Sequence, residues 1–226
     1  MKLYALIVAG GSGTRMKADV PKQFLLLQQK PVLMHTIEKF AKFDGEMQIV
    51  LVLPESQLSA WKTFCKAYEF NIPYHLVIGG ATRPESVING LNAIEGNGIV
   101  FIHDGVRPLV SRETLQRCLD TTLEFGNALP VMPVVESLRV VDENGNRIVD
   151  RSKYVNVQTP QVFRIEEIKA AYQLEIDPSF TDDASVLELM GMRINLVDGN
   201  RENIKITHPS DLIFAEAILS AGELKR

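Results

Sequence analysis

The chain is expected to fold as an α/β domain around a doubly wound, mostly parallel sheet, and three observations lead there. Short β-rich runs that are apolar on both faces alternate with segments of helical period as far as Phe125, the pattern of strands sandwiched between helices. The first run, Leu3–Ala9, empties into Gly10-Gly11-Ser12-Gly13-Thr14-Arg15, a strand exit of the kind at which open α/β sheets bind ligands. The 226 residues, 46% hydrophobic and 23% charged, suffice for one full hydrophobic core.

The elements follow in order. After strand Leu3–Ala9 comes helix Pro31–Phe43, opening on a proline suited to a first helical turn. Strand Ile49–Leu53 leads to helix Gln57–Glu69, and strand Tyr74–Ile78 to helix Pro84–Ile94, where Val87, Leu91 and Ile94 form one apolar stripe. Strand Ile99–His103 leads to helix Arg112–Phe125, with Ser111 as its N-cap. From Val135 the period becomes alternating: Ser137–Val141, a turn-rich tip at Asp142–Asn146, then Arg147–Val149, with Asn144-Gly145 as the reversal. We expect a β-arm at about 136–156 projecting from a single domain spanning 1–226. A lone hairpin is marginal in water unless covered, so a second subunit embracing the arm is the economical arrangement. Strand Val157–Phe163, helices Ile165–Leu174 and Ala184–Met190, strand Ile194–Val197 and a helix near Ser210–Ala221 complete the chain.

Composition excludes several classes of function. A formal charge of −4 argues against broad nucleic-acid binding, which needs a basic face to neutralise phosphates. The N-terminal apolar run is too short to span a bilayer and lacks a signal-peptide cleavage pattern, so no membrane partner is expected. The two cysteines, Cys65 and Cys118, lie in helical patterns without a Cys-x-x-Cys pair and are expected as buried thiols in a reducing cytoplasm.

The chemistry gathers at the strand exits. Glycines after a buried strand let main-chain N–H groups approach an anion, and Arg15 and Lys22 stand close behind, the latter stiffened by Pro21. Two cations and a glycine cradle suit a triphosphate. The pattern is neither a dinucleotide fingerprint, since Met16 stands where a third glycine belongs, nor a Walker loop, since no Gly-Lys-Ser/Thr follows. Thr14 also removes a Gly-x-Ser-x-Gly nucleophile elbow around Ser12. His103-Asp104 closes another strand: Asp104 suits Mg²⁺ or a substrate hydroxyl, or the cap of the next turn, while His103 reads as a satisfied structural group rather than a metal ligand.

Ala9–Arg15 followed by Pro21-Lys22-Gln23 resembles the signature of sugar- and polyol-phosphate nucleotidyltransferases. Four further segments, Val100–Pro108, Asp150-Arg151 leading to Gln158–Gln161, Thr181–Ser185 and Glu202–Thr207, resemble the 2-C-methyl-D-erythritol 4-phosphate cytidylyltransferase family over nearly the whole chain. The resemblance implies a Rossmann-like nucleotidyltransferase fold and transfer of CMP from CTP to the polyol phosphate by in-line attack on the α-phosphorus, with release of pyrophosphate, in isoprenoid precursor synthesis by the non-mevalonate route. It also implies Mg²⁺ or another divalent cation and a homodimer with sites shared across the interface.

By the same resemblance, Arg15, Lys22, Arg151 and Lys205 are catalytic. Arg15 and Lys22 serve the α-phosphate and the departing pyrophosphate. Ala9, Gly10, Gly11, Ser12, Gly13, Thr14, Gly80, Ala81, Ser86 and Asp104 bind the nucleotide, with the Gly79–Arg83 segment and Ser86 around cytosine. Asp104, Arg107, Ser137, Arg151, Thr181 and Lys205 bind the polyol phosphate, Asp104 also holds the metal, and Arg151 reaches across from the arm. Ser137 and Ala81 depart from the threonine and acidic residue common in relatives. Val106 leans towards the related ribitol 5-phosphate enzymes, whereas Asp150–Ser152 and Asn200–Lys205 lean towards methylerythritol. A nucleotide-sugar glycosyltransferase would normally show Asp-x-Asp, and Asp182-Asp183 lacks that spacing; a non-catalytic nucleotide-binding subunit would not need both Arg15 and Lys22.

Overall fold

A computed structural model describes residues 1–10, 20–174, 180 and 182–223. Alternation along the first strand, β1 (Leu3–Val8), decides the layering. Ala5 and Ile7 face one layer of helices, while Tyr4, Leu6 and Val8 face the other, the period of two that every strand imposes. The first layer holds α1 (Val32–Phe43), α2 (Leu58–Ala67) and α4 (Arg112–Phe125), with Leu33, Ile37, Phe40, Trp61 and Cys118 in its core. The second holds α3 (Arg83–Asn92), α5 (Ile165–Ala171) and α6 (Asp183–Glu188), with Val87, Leu91, Ile168 and Leu187 inside. A short hairpin, β2 (Leu26–Leu27) with β3 (Lys30–Pro31), packs near α7 (Pro209–Glu223).

In the sheet, β1 lies between β4 (Gln48–Leu53) and β6 (Ile99–Asp104), and β5 (His75–Ile78) flanks β4, all parallel. Beyond β6 the sheet turns antiparallel, through β11 (Gln161–Arg164), β7 (Asn127–Pro133) and β10 (Val155–Val157), with β12 (Leu196–Asp198) parallel to β7. With helices on both faces and four of the seven pairings in this sheet parallel, the doubly wound, mostly parallel expectation holds, and the half that carries the strand exits is parallel throughout.

Two differences from expectation trace to prolines. The expected strand Val157–Phe163 is two strands. Its pairing with β7 slips from Val157↔Val131 to Val162↔Ala128 around Pro160, a residue without the N–H a continuous ladder needs. Strand β7 itself has no counterpart in the sequence reading because Pro130 and Pro133 interrupt it. Pro130 is tolerated since it contributes only its carbonyl, which accepts the Gln158 N–H at 2.9 Å.

Local signals behave as their chemistry dictates. Ser111 caps α4, accepting the Thr114 N–H at 3.1 Å, and Gly126 ends that helix at φ 92°. Pro31 is the residue before α1 rather than within its first turn. The arm is present as β8 (Arg139–Asp142) and β9 (Gly145–Ile148), which pair only with each other among the described residues. Its turn is Glu143-Asn144, one residue earlier than expected, because Gly145 pairs with Asp142. Cys118 is buried as expected, whereas Cys65 is half-buried, 3.5 Å from the Tyr74 hydroxyl.

Candidate functional site

The carboxyl ends of β1, β5 and β6 open onto one pocket, lined by Ala9, Gly10, Lys22, Gly80, Ala81, Ser86, Asp104 and Lys205 among others. This is the topological switch point, where β1 has a later strand on each side and the following loops diverge. A second, adjoining pocket is lined by Asp104, Arg107, Gln158, Thr159, Asp182 and Lys205.

Between β5 and α3 the Gly79–Thr82 turn forms one wall. A Cβ at Gly80 would lie 2.3 Å from Glu85 Cβ, and one at Gly79 2.9 Å from Ser86 Oγ, so only glycine lets the turn lie this close to its helix. Thr82 caps α3 by accepting the Glu85 N–H at 3.3 Å, and the Glu85 carboxylate reaches back beyond the cap to accept the Ala81 N–H at 2.9 Å. The Ser86 hydroxyl donates to the Thr82 carbonyl at 2.9 Å and its oxygen accepts the Gly80 N–H at 3.1 Å. What that oxygen has left to offer is acceptor capacity.

Lys22 stands in a 3₁₀ turn, Lys22–Phe24, bound to the sheet by the residue after it. Buried Gln23 donates to the Ala9 carbonyl at 2.7 Å and also to Gln57 Oε1. Phe24 anchors the turn from below, stacked on Trp61 at 6.1 Å.

Asp104, at the end of β6, is the electrostatic centre. Its Oδ2 accepts from Lys205 Nζ at 3.0 Å and Arg107 Nε at 3.2 Å, while Arg83 Nε stands 3.8 Å from Oδ1. Burial pushes the Asp104 carboxyl up, but Lys205, Arg83 and Arg107 outweigh it and hold the group well below the usual carboxylate range. Arg107 is aimed by a second bond, from Nη1 to the Asn203 carbonyl at 2.8 Å. Of the two carboxylate oxygens Oδ2 carries the two shorter contacts, and Oδ1 is the less engaged.

His103 is fully satisfied. Asp104 N–H donates to Thr159 Oγ1 at 3.1 Å, that hydroxyl lies 3.1 Å from His103 Nδ1, and Nε2 meets the Arg107 carbonyl at 3.0 Å. A carbonyl only accepts, so Nε2 carries the proton and Nδ1 accepts from Thr159. Burial pulls the imidazole down to about 4, against the opposing effect of the Arg107 carbonyl. The unfolded histidine takes up its proton near 6.5, before the folded one does. Stability is therefore expected to fall as pH drops from 6.5 towards 4, by roughly 3 kcal/mol. Urea unfolding across that window measures it, and His103→Gln should flatten the dependence.

Most of the residues anticipated from sequence converge: Ala9, Gly10, Lys22, Gly80, Ala81, Ser86, Asp104, Arg107 and Lys205 line the two pockets. Arg151 and Ser137 do not. Ser137 is exposed before β8, and exposed Arg151 donates to the Val135 carbonyl at the foot of the arm. Gly11, Ser12, Gly13, Thr14, Arg15 and Thr181 lie outside the described residues. Arg83, Gln23, Thr159, Asn203 and Asp183 have no individual role in the sequence reading. Arg83 has a signal in its place beside the glycine pair, but its partner Asp183 is 100 residues away.

Among the described residues Asp104 is the one carboxylate that both pockets share, and no three His, Cys, Asp or Glu side chains form a metal cluster. That donor set fits a hard cation such as Mg²⁺ carried largely by phosphate oxygens, which needs only one or two carboxylates from the protein. Among the described residues no helix is long and apolar enough to cross a membrane.

A family model of 2-C-methyl-D-erythritol 4-phosphate cytidylyltransferase matches residues 3–221. The protein of that name from Bacteroides thetaiotaomicron is 49% identical over 219 residues, covering 97% of this chain and 100% of its own. The one from Bacteroides fragilis is 52% identical over 215 residues, covering 95% and 98%. Among solved structures, the enzyme of that name from Thermus thermophilus has a TM-score of 0.79 at 30% identity, covering 97% of this chain and 100% of its own. The 4-diphosphocytidyl-2C-methyl-D-erythritol synthase of Anaerococcus prevotii has a TM-score of 0.83 at 27% identity, covering 97% and 96%.

Proposed function

We propose, since the chain belongs to the 2-C-methyl-D-erythritol 4-phosphate cytidylyltransferase family, that it transfers CMP from CTP to 2-C-methyl-D-erythritol 4-phosphate in isoprenoid precursor synthesis. The observation that carries the reading is the pair of adjoining pockets that share Asp104 and Lys205 at the strand exits. One suits a nucleotide, the other a phosphorylated polyol.

The reaction needs placement and charge stabilisation rather than a protein nucleophile. An oxygen of the polyol phosphate attacks the α-phosphorus, a new P–O bond forms, and the bond to the β-phosphate bridge breaks with its electron pair leaving on pyrophosphate. Lys22, with Arg15, stabilises charge on the α-phosphate and the leaving group, as preorganised cations do. Gly10 and the amides of Gly11 to Thr14 surround the outer phosphates. Arg107 and Lys205, with Arg151 and the hydroxyls of Ser137 and Thr181, hold the incoming phosphate. Asp104 holds a divalent cation, Mg²⁺ by the chemistry of its donor, which when bound neutralises phosphate charge.

The base side reads cytosine through the Gly79–Thr82 turn and Ser86. Because the Ser86 proton is committed to the Thr82 carbonyl, its oxygen suits the exocyclic amine of cytosine and not the carbonyl that replaces it in uracil. Pyrophosphate release with CTP, UTP, ATP and GTP against methylerythritol, erythritol and ribitol phosphates tests the reading. CTP with methylerythritol phosphate should be the preferred pair; a purine preference, or silence across the panel, would overturn it.

We assign the chain to a cytoplasmic homodimer, one domain with the arm at about 136–156 as its dimerisation element. Support comes from the apolar side chains that the arm and the neighbouring edge expose, Val135, Val141, Ile148, Tyr154, Val155 and Val157, and from two free thiols. Arg151 at the foot of the arm then serves the partner's site. Arg151→Ala subunits mixed with Lys22→Ala subunits should recover partial activity, and demonstrated heterodimers without recovery would contradict sharing.

A further inference from the structure

Arg83 stands where the two pockets meet, lining both together with Asp104 and Lys205. It opens α3 directly after the Gly79–Thr82 turn, yet its guanidinium is anchored 100 residues away. Nη1 and Nη2 fork onto Asp183 Oδ1 and Oδ2 at 2.9 and 2.6 Å, and Nε lies 3.8 Å from Asp104 Oδ1. Asp183 is fully buried and immobilised in turn. The Tyr172 hydroxyl donates to its Oδ1 at 2.6 Å, and Gln161 Oε1 accepts the backbone N–H groups of Asp183 and Ala184 at 2.9 and 2.8 Å.

We propose that Arg83 is a positioning residue that locks the base-side turn to the polyol-side wall, so that the affinities for nucleotide and polyol phosphate rise and fall together. The proposal rests on the cytidylyltransferase reading above. A bidentate fork fixes angle as well as distance, and the turn it holds cannot yield internally, since Gly80 already lies against Glu85. Displacing Arg83 therefore moves the whole base-side wall relative to Asp104. A lysine, with one ammonium, cannot hold Asp183 in a fork and face Asp104 at once.

The test is steady-state kinetics on the full chain carrying Arg83→Lys or Tyr172→Phe, with thermal unfolding alongside. Arg83→Lys should raise KM for CTP and for 2-C-methyl-D-erythritol 4-phosphate together, each about tenfold, with kcat changed less than about threefold. Tyr172 lines neither pocket and its hydroxyl is hydrogen-bonded to Asp183, the carboxylate that anchors Arg83, so Tyr172→Phe should show the same paired rise at smaller size. It decides the matter if Arg83→Lys does not fold. Lowered thermal stability with both KM values unchanged, or a rise in one KM alone, overturns the proposal while leaving the activity intact. A parent protein inactive with CTP and the polyol phosphate overturns the functional reading and the proposal with it.

Discussion

Lys22→Ala is expected to reduce kcat for cytidylyl transfer about 10²- to 10³-fold, or ~3–4 kcal/mol of barrier, the size of loss seen when one preorganised anion-stabilising group is removed. Lys22 lines the pocket assigned above to the nucleotide, from a turn that is tied to the sheet exit through Gln23 and to the core through Phe24. A cation held in this way does not relax towards bulk water, so its benefit falls mainly on the charge that develops in the transition state. Equilibrium binding of CTP should change much less than turnover. Single-turnover rates and CTP affinity measured on the same preparation separate the two, and an equal loss in both would contradict a transition-state role.

Trp61→Ala is expected to lower unfolding free energy by about 3–5 kcal/mol, as large-to-small changes at buried aromatic sites do. The ring is completely buried, stacked against Phe24 and set at an angle to Phe70 and Tyr74 with centroids 5.7 and 5.9 Å away. Its loss removes the floor beneath the Lys22–Phe24 turn, so turnover should fall as well even where the variant remains folded. Trp61→Phe should recover much of both. Chemical denaturation monitored by circular dichroism gives the first quantity, and a loss below about 1 kcal/mol would show that the cavity collapses without cost.

Much of this arrangement is legible residue by residue. The continuous apolar runs identify β1, β4 and β6 as doubly covered strands and locate β5, which the sheet leaves only partly covered at its edge, and the glycines after Ile78 and Val8 mark two of the exits that become pocket walls. The Asn144-Gly145 reversal marks the arm to within one residue of its turn. Strand β7 escapes because its prolines oppose a strand assignment locally, and only the surroundings, with β10 and β11 along it and β12 alongside, reveal that its carbonyls suffice. The grouping of Asp104 with Arg107 is close in sequence. Its grouping with Lys205 and Arg83 is not.

The layers, the glycine-lined strand exits and the chemistry of the candidate site are all written locally in the chain, because periodicity, turn preference and charge type act within a few residues of one another. Which charges meet is a property of the folded molecule alone. Arg83 finds Asp183, Lys205 finds Asp104, and Arg151 remains at the foot of the arm, away from both pockets. Those pairings depend on crossovers that bring distant segments to one sheet edge, and a buried carboxylate keeps its charge only where that convergence supplies its counter-ions.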